Sequence, residues 1–273
     1  MARQLQIALT GDIDDGLEDI ASCLRPLCET LNSCSVPMSI PVVAQALESS
    51  PHKMSFLAEQ GIEIAGHGDV HEPFVGPVEV QRARLKAMRV AFEKTLGMSP
   101  IGFRAPYLAH DQNLYSALSL EGFTYDSSRT SHDFWLRTWN LFSRRRTSFR
   151  DTFLTYPRTL IREVSGRASA HPYPVAPRVV ELPVFELDDW FFFEYAKGPK
   201  LDNSELDIVT DTWMKAARHL NGRDRLLVIQ AHPKRISPTR LRVLEEFVAQ
   251  AKREGYKFAT LGELAQYYER LAV

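Results

Sequence analysis

The chain has 273 residues, of which 44% are hydrophobic and 25% charged, and its formal net charge is −1. That balance excludes a global field able to recruit nucleic acid or an acidic membrane surface, and no apolar run approaches the length of a bilayer span. The length suits one large α/β unit, and we read residues 1–273 as a single domain.

The first predicted strand, Leu5–Leu9, runs into LTGDIDDG, where Asp12, Asp14 and Asp15 follow the apolar stretch. Asp12 interrupts that stretch early, which argues against a secretory signal. The three cysteines, Cys23, Cys28 and Cys34, sit in one segment; their odd number favours reduced thiols and a cytoplasmic protein. With no fourth cysteine and no histidine among them, they make a poor zinc site.

Further strands are predicted at Ile62–Ala65, Ile101–Phe103, Phe123–Tyr125, Val179–Leu182, Leu226–Ile229 and Phe258–Ala259. Between them, Leu85, Met88, Phe92 and Leu96 share one face of a helix over 79–97. Leu206, Val209, Trp213, Ala217 and Leu220 do the same in a later one. Ser237-Pro238 reads as an N-cap followed by proline at the first helical position, and Thr260 with Glu263 as a capping box. Strands alternating with helices of this size predict a parallel sheet, open or closed as a barrel.

Directly after Ile62–Ala65 comes GHGDVH, with His67 and His71 four residues apart. In a turn or a first helical turn, both imidazoles can address one ion, and a carboxylate from elsewhere completes a site. Each feature alone has an ordinary alternative, surface histidines in one case and turn or capping acids in the other. Both fall just after strands, where β/α barrels place their chemistry, and together they narrow the reading to a metal hydrolase.

Residues 129–178 break the alternation. They hold ten arginines, Arg144, Arg145 and Arg146 among them, against Asp133, Asp151 and Glu163, with Trp135, Trp139, Phe142, Phe149 and Phe153 interleaved. We read the segment as an insertion, either a solvated loop or a cap whose guanidinium groups bind phosphate or carboxylate.

Five segments, LTGDIDDG, HGDVH, GFRAPY, ELPVFELDDW and LLVIQAHP, occur in the order and spacing of the NodB-homology polysaccharide deacetylases, and the chain resembles that family over nearly its whole length. Its D-hydrophobic-D first motif is similar to the peptidoglycan-deacetylase-like branch. The resemblance implies a distorted (β/α) barrel and metal-dependent hydrolysis of an N-acyl group on an amino sugar. It implies a divalent ion on Asp14, His67 and His71. Zinc comes first; cobalt, nickel, manganese and iron suit the same donors. Asp12 would be the base and His232 the general acid, with Arg104 orienting the base. Asp188 or Asp189 would pair with His232, while Tyr107 and Trp190 would line the substrate pocket. A second register, Asp14 as base and Asp15 as ligand, stays open; Asp12/Asp14 is favoured because residues two apart on a strand face one side.

Two departures stand out. Gly11 replaces a bulky residue before the first aspartate, and VPMSIPVV (36–43) replaces an aromatic-rich second strand. The implied substrate is an acylated amino sugar, phosphate- or lipid-linked if the arginine segment takes part, and a homo-oligomer is compatible with the sequence. The competing readings are a deformylase or amidase acting on a sugar-lipid phosphate or small cyclic amide, and a non-catalytic glycan-binding barrel.

Overall fold

A computed structural model describes residues 5–14, 21–131, 170–193, 201–221, 226–233 and 237–271. Asp15, Cys23 beyond its backbone, and residues 132–169 with Arg144–Arg146 lie outside the described residues.

The sheet is built from β1 (Gln6–Thr10), β2 (Met38–Val42), β3 (Glu63–Gly66), β4 (Gly102–Phe103), β5 (Tyr125–Asp126), β6 (Thr130–Ser131), β7 (Tyr173–Ala176), β8 (Val179–Glu181), β9 (Val184–Phe185), β10 (Leu226–Gln230) and β11 (Lys257–Phe258). Pairing runs β6-β9-β10-β1-β2-β3-β4-β5-β8-β7, with β11 beside β1; the β7–β8 pair is antiparallel and the others parallel. The short run 179–185 pairs with β5 through β8 and with β10 through β9. It thereby carries the sheet round on itself into a distorted barrel.

Helices α1 (Ala21–Cys34), α2 (Ala44–Ser49), α3 (Pro51–Glu59), α4 (Val78–Leu96), α5 (Asn113–Leu120), α6 (Asp189–Phe193), α7 (Asp207–Leu220), α8 (Pro238–Arg253) and α9 (Leu261–Leu271) accompany the strands. Most of the predicted stripes are buried, Leu85, Met88 and Phe92 on α4 and Val209, Trp213, Ala217 and Leu220 on α7, while Leu96 and Leu206 at the helix ends are partly buried. The two predicted caps form as well. Ser237 Oγ accepts from Arg240 N–H at 3.2 Å. At the start of α9, Thr260 Oγ1 accepts from Glu263 N–H (3.1 Å) while Glu263 Oε2 accepts from Thr260 N–H (2.8 Å), the reciprocal capping box. Among the described residues, no helix is long and apolar enough to cross a membrane.

Both sequence departures have a structural reading. Within VPMSIPVV, Met38–Val42 form strand β2, wholly buried between β1 and β3, at the second-strand position the resemblance implied. Pro41 contributes its carbonyl, which accepts from Ile13 N–H at 2.9 Å. Gly11 lies where β1 meets the end of β10: a Cβ there would stand 2.3 Å from the Ala231 carbonyl oxygen and 2.8 Å from Met38 Cε. No side chain fits, so the two strand ends approach backbone to backbone. The boundaries of the arginine-rich segment need correcting. Thr130–Ser131 form β6 and Tyr173–Ala176 form β7, so both ends of 129–178 belong to the sheet.

Candidate active site

The groups singled out at the strand ends gather at the C-terminal mouth of the parallel strands. Asp12 and Asp14 follow β1, His67 follows β3, Arg104 follows β4, and His232 follows β10. The His67–His71 spacing works through a turn, since α4 begins only at Val78. Gly68 turns the chain at φ +96°, and a Cβ there would meet the Phe74 ring and the Val70 carbonyl oxygen, each at 3.0 Å. His71 is thus brought back beside His67, the ring centroids 5.3 Å apart.

Asp14 Oδ1 lies 3.5 Å from His67 Nε2 and 3.5 Å from His71 Nε2. Two ligands about 2.1 Å from a tetrahedral ion stand roughly 3.4 Å apart, so the donor set fits one small divalent cation. The tautomer suits it too: His67 Nδ1 bonds the Arg104 carbonyl oxygen at 2.8 Å, which keeps the proton there and leaves Nε2 as a lone-pair donor. Burial raises the affinity of the Asp14 carboxyl for its proton, but the His67 hydrogen bond and the charges of His67, His232 and His71 outweigh it. The carboxyl is held well below the usual range.

Asp12 is gripped differently. Arg104 Nη1 donates to Oδ1 at 2.7 Å, and Gln230 Nε2 donates to Oδ2 at 2.5 Å, with His67 Nε2 standing 3.8 Å from Oδ2. Arg104 is fully buried and all its contacts are satisfied by strand ends: Nη1 to Thr10 Oγ1, Nε to the Ser127 carbonyl oxygen and Nη2 to Ser127 Oγ, each at 3.0 Å.

Across the mouth, His232 Nδ1 bonds Asp189 Oδ1 at 2.8 Å, and its backbone N–H donates to Asp189 Oδ2 at 2.7 Å. Of the two acids in LDDW, Asp189 is the one paired with His232. Asp188 accepts from Phe191 N–H at 2.8 Å at the start of α6, a helix-end role. Trp213 Nε1 donates to the Leu187 carbonyl oxygen at 2.9 Å and holds this loop in place. Tyr107 sits at the rim, 68% exposed, its ring 4.2 Å from that of His71 and its backbone left-handed at φ 56°. Trp190 lies on α6, and its side chain is outside the described residues.

Gln230 was not among the residues picked out from sequence. Its amide donates to Asp12 and reaches His232 Nε2 at 3.2 Å, so it spans the two groups. Oriented the other way, its carbonyl oxygen would face the carboxylate, so Asp12 settles which end is nitrogen. The available signal was position: Gln230 ends β10 two residues before His232, on the same side of the strand.

The fold and site define a distorted (β/α) barrel with an Asp-His-His donor set beside the hydrogen-bonded side chains of Asp12 and His232. Residues 4–125 match the family model described as polysaccharide deacetylase. A peptidoglycan deacetylase-like protein of Gibberella zeae is 34% identical over 94 residues, which are 34% of this chain and 28% of that protein. A protein described as a polysaccharide deacetylase from Mycobacterium smegmatis superposes with a TM-score of 0.74 at 21% identity, covering 100% of this chain and 93% of the other. An allantoinase, Puue, gives 0.69 at 14% identity over 97% and 90%. Residues 4–125 thus resemble the polysaccharide deacetylase family model, and the chain shares the fold of these structures along its length.

Proposed function

We propose that this chain is a metal-dependent hydrolase that removes an N-acyl group, acetyl first, from an amino sugar of a glycan or glycoconjugate. The observation that carries the reading is the convergence of Asp14, His67 and His71 at 3.5 Å spacing beside the held carboxylate of Asp12. Those three residues would hold the ion, zinc first on this donor set. A bound divalent ion polarises the amide carbonyl and lowers the pKa of water from about 15.7 toward 7.

The remaining chemistry belongs to the chain. Asp12, oriented by Arg104 and Gln230, takes the proton of the attacking water. Asp189 keeps the His232 ring turned so that Nε2 faces the cleft, from which it protonates the departing nitrogen. The amide and one water become a carboxylate and an amine. Tyr107 and Trp190 would wall the substrate pocket. Arginines of the 129–178 segment would favour a phosphate-bearing substrate.

The test is a hydrolysis screen on metal-analysed protein. Its substrates are acetylated and formylated amino sugars (free, phosphorylated and lipid-linked), peptidoglycan fragments and allantoin. Release of acetate from an amino sugar supports the reading. Turnover confined to formylated sugar phosphates or to the cyclic amide shifts it to the deformylase or amidase alternative. Metal bound without turnover on any of them leaves a glycan-binding barrel.

A further inference from the structure

Behind Arg104 lies a second polar cluster that the proposed reaction does not use. Asp126 and Glu181 are register partners at the ends of β5 and β8, and both are fully buried. One oxygen of each is satisfied: Asp126 Oδ1 accepts from Ser128 Oγ at 2.6 Å, and Glu181 Oε1 accepts from Arg129 N–H at 2.9 Å. The other two, Asp126 Oδ2 and Glu181 Oε2, have no donor among the described residues. Two fully buried carboxylates, each with one oxygen lacking a donor, carry a severe desolvation and repulsion cost, and a single proton between them relieves it.

The cluster connects to the site through the backbone it holds. Ser128 Oγ accepts from Ala105 N–H at 2.8 Å. Ser127, between Asp126 and Ser128, receives the Arg104 guanidinium on two atoms and donates to the Leu182 carbonyl oxygen at 2.8 Å. Around the pair stand His110 and Tyr115 from the α5 region, Arg129 after β5 and Tyr173 on β7. His110 Nδ1 has no partner among the described residues, so it does not supply the missing donor.

We propose that Asp126 and Glu181 share one proton across the β5–β8 strand pair and, as that bonded unit, position Arg104 and through it the carboxylate of Asp12. Burial first, then the charge of Asp126, pushes the Glu181 carboxyl well above its usual range, so the proton resides mainly there. The shared proton and the Arg104 clamp stand on geometry; only the effect on turnover rests on the proposed reaction.

The test compares D126N, E181Q, the double amide and D126A in the full chain. Each single amide replaces O–H···O by N–H···O, whereas the double amide sets two NH2 groups face to face. The urea midpoint of the double variant should therefore fall below the sum of the single effects. The Arg104 Nε–H, followed by NMR, should stay protected from exchange in each single amide and become labile in D126A. On the substrate found by the screen, D126A should lower kcat about 10- to 100-fold at unchanged KM, and D126N should restore most of it. A double amide more stable than the sum of the singles overturns proton sharing. Equal Arg104 protection in D126A and the unaltered chain, or an unchanged kcat in D126A, overturns the positioning role. If no substrate is turned over by any form, the proposed reaction fails, while the midpoint and exchange measurements still decide the pair.

Discussion

Asp189 holds His232 with both carboxylate oxygens, one on the ring nitrogen at 2.8 Å and one on the same residue's backbone N–H at 2.7 Å. The grip fixes the ring's tautomer and direction together. In Asp189→Asn, one of the two acceptors becomes a donor and the counter-charge is lost. General acid catalysis contributes about 10²- to 10⁴-fold, and kcat should fall by about 10²-fold or more with KM and metal content nearly unchanged. Steady-state kinetics with elemental analysis checks this; loss of metal in the variant would contradict it.

The donor set predicts a division of labour between the two aspartates. His71→Ala and Asp14→Asn should each empty the site, because Asp14 Oδ1 is the atom equidistant from both histidines. Asp12→Asn should keep metal and lose turnover, since both Asp12 oxygens are committed to Arg104 and Gln230. Metal content after dialysis, with circular dichroism as the folding control, separates the cases. If Asp15→Asn is the variant that empties the site, the adjacent-acid register is correct instead.

Gly11→Ala should destabilise the fold by about 1–3 kcal/mol, the usual cost of forcing an extra methyl into a packed place. The added carbon meets a backbone oxygen, Ala231 O, rather than the end of a flexible side chain. Relief would have to come from moving the strand end that carries His232, so kcat should drop with stability. Urea titration alongside kinetics tests the pairing of the two effects.

Stability should also carry a pH signature from Glu181. Its carboxyl, buried beside Asp126, keeps its proton in the folded chain far above the usual range. The unfolded chain releases that proton above pH about 4.3, so the folded state binds more protons and stability declines as pH rises. The contribution is complete below about pH 4.3 and is lost on the way up to the folded value. E181Q cannot ionise, so its stability relative to the unaltered chain should grow by up to about 1.4 kcal/mol per pH unit across that window. Parallel slopes for the two proteins between pH 5 and 8, in urea titrations, would refute the shift.

What could be read in advance tracks how local its cause was. His67 and His71 declared themselves because four residues suffice to aim both at one ion. The caps at Ser237 and Thr260 were legible for the same reason: each is a contact within three residues. Strand β2 was legible only by its place in the motif order, because Pro37 and Pro41 go against local strand propensity and burial between two strands overrides it. Asp188 and Asp189 could not be told apart in sequence, because the choice depends on where α6 begins. Gln230 carries no charge and no metal-binding habit, so only the approach of β10 to β1 makes it part of the site. The Asp126–Glu181 pair spans 55 residues of chain and reads as two unrelated strand-end acids until β5 and β8 are aligned.

The β1–β10 ladder sets Gln6 beside Leu226 and Thr10 beside Gln230, so Asp12 and His232 meet only through a contact spanning about four-fifths of the chain. Loop-closure entropy makes such long-range parallel pairing slow. During synthesis the first strand can pair with β2 early, but its other edge waits for β10 until residues beyond 230 have been made. Nascent or truncated chains ending before β10 therefore hold Asp14, His67 and His71 without His232. Joining the two halves of the candidate site therefore waits for β10, a timing that comes from strand order alone.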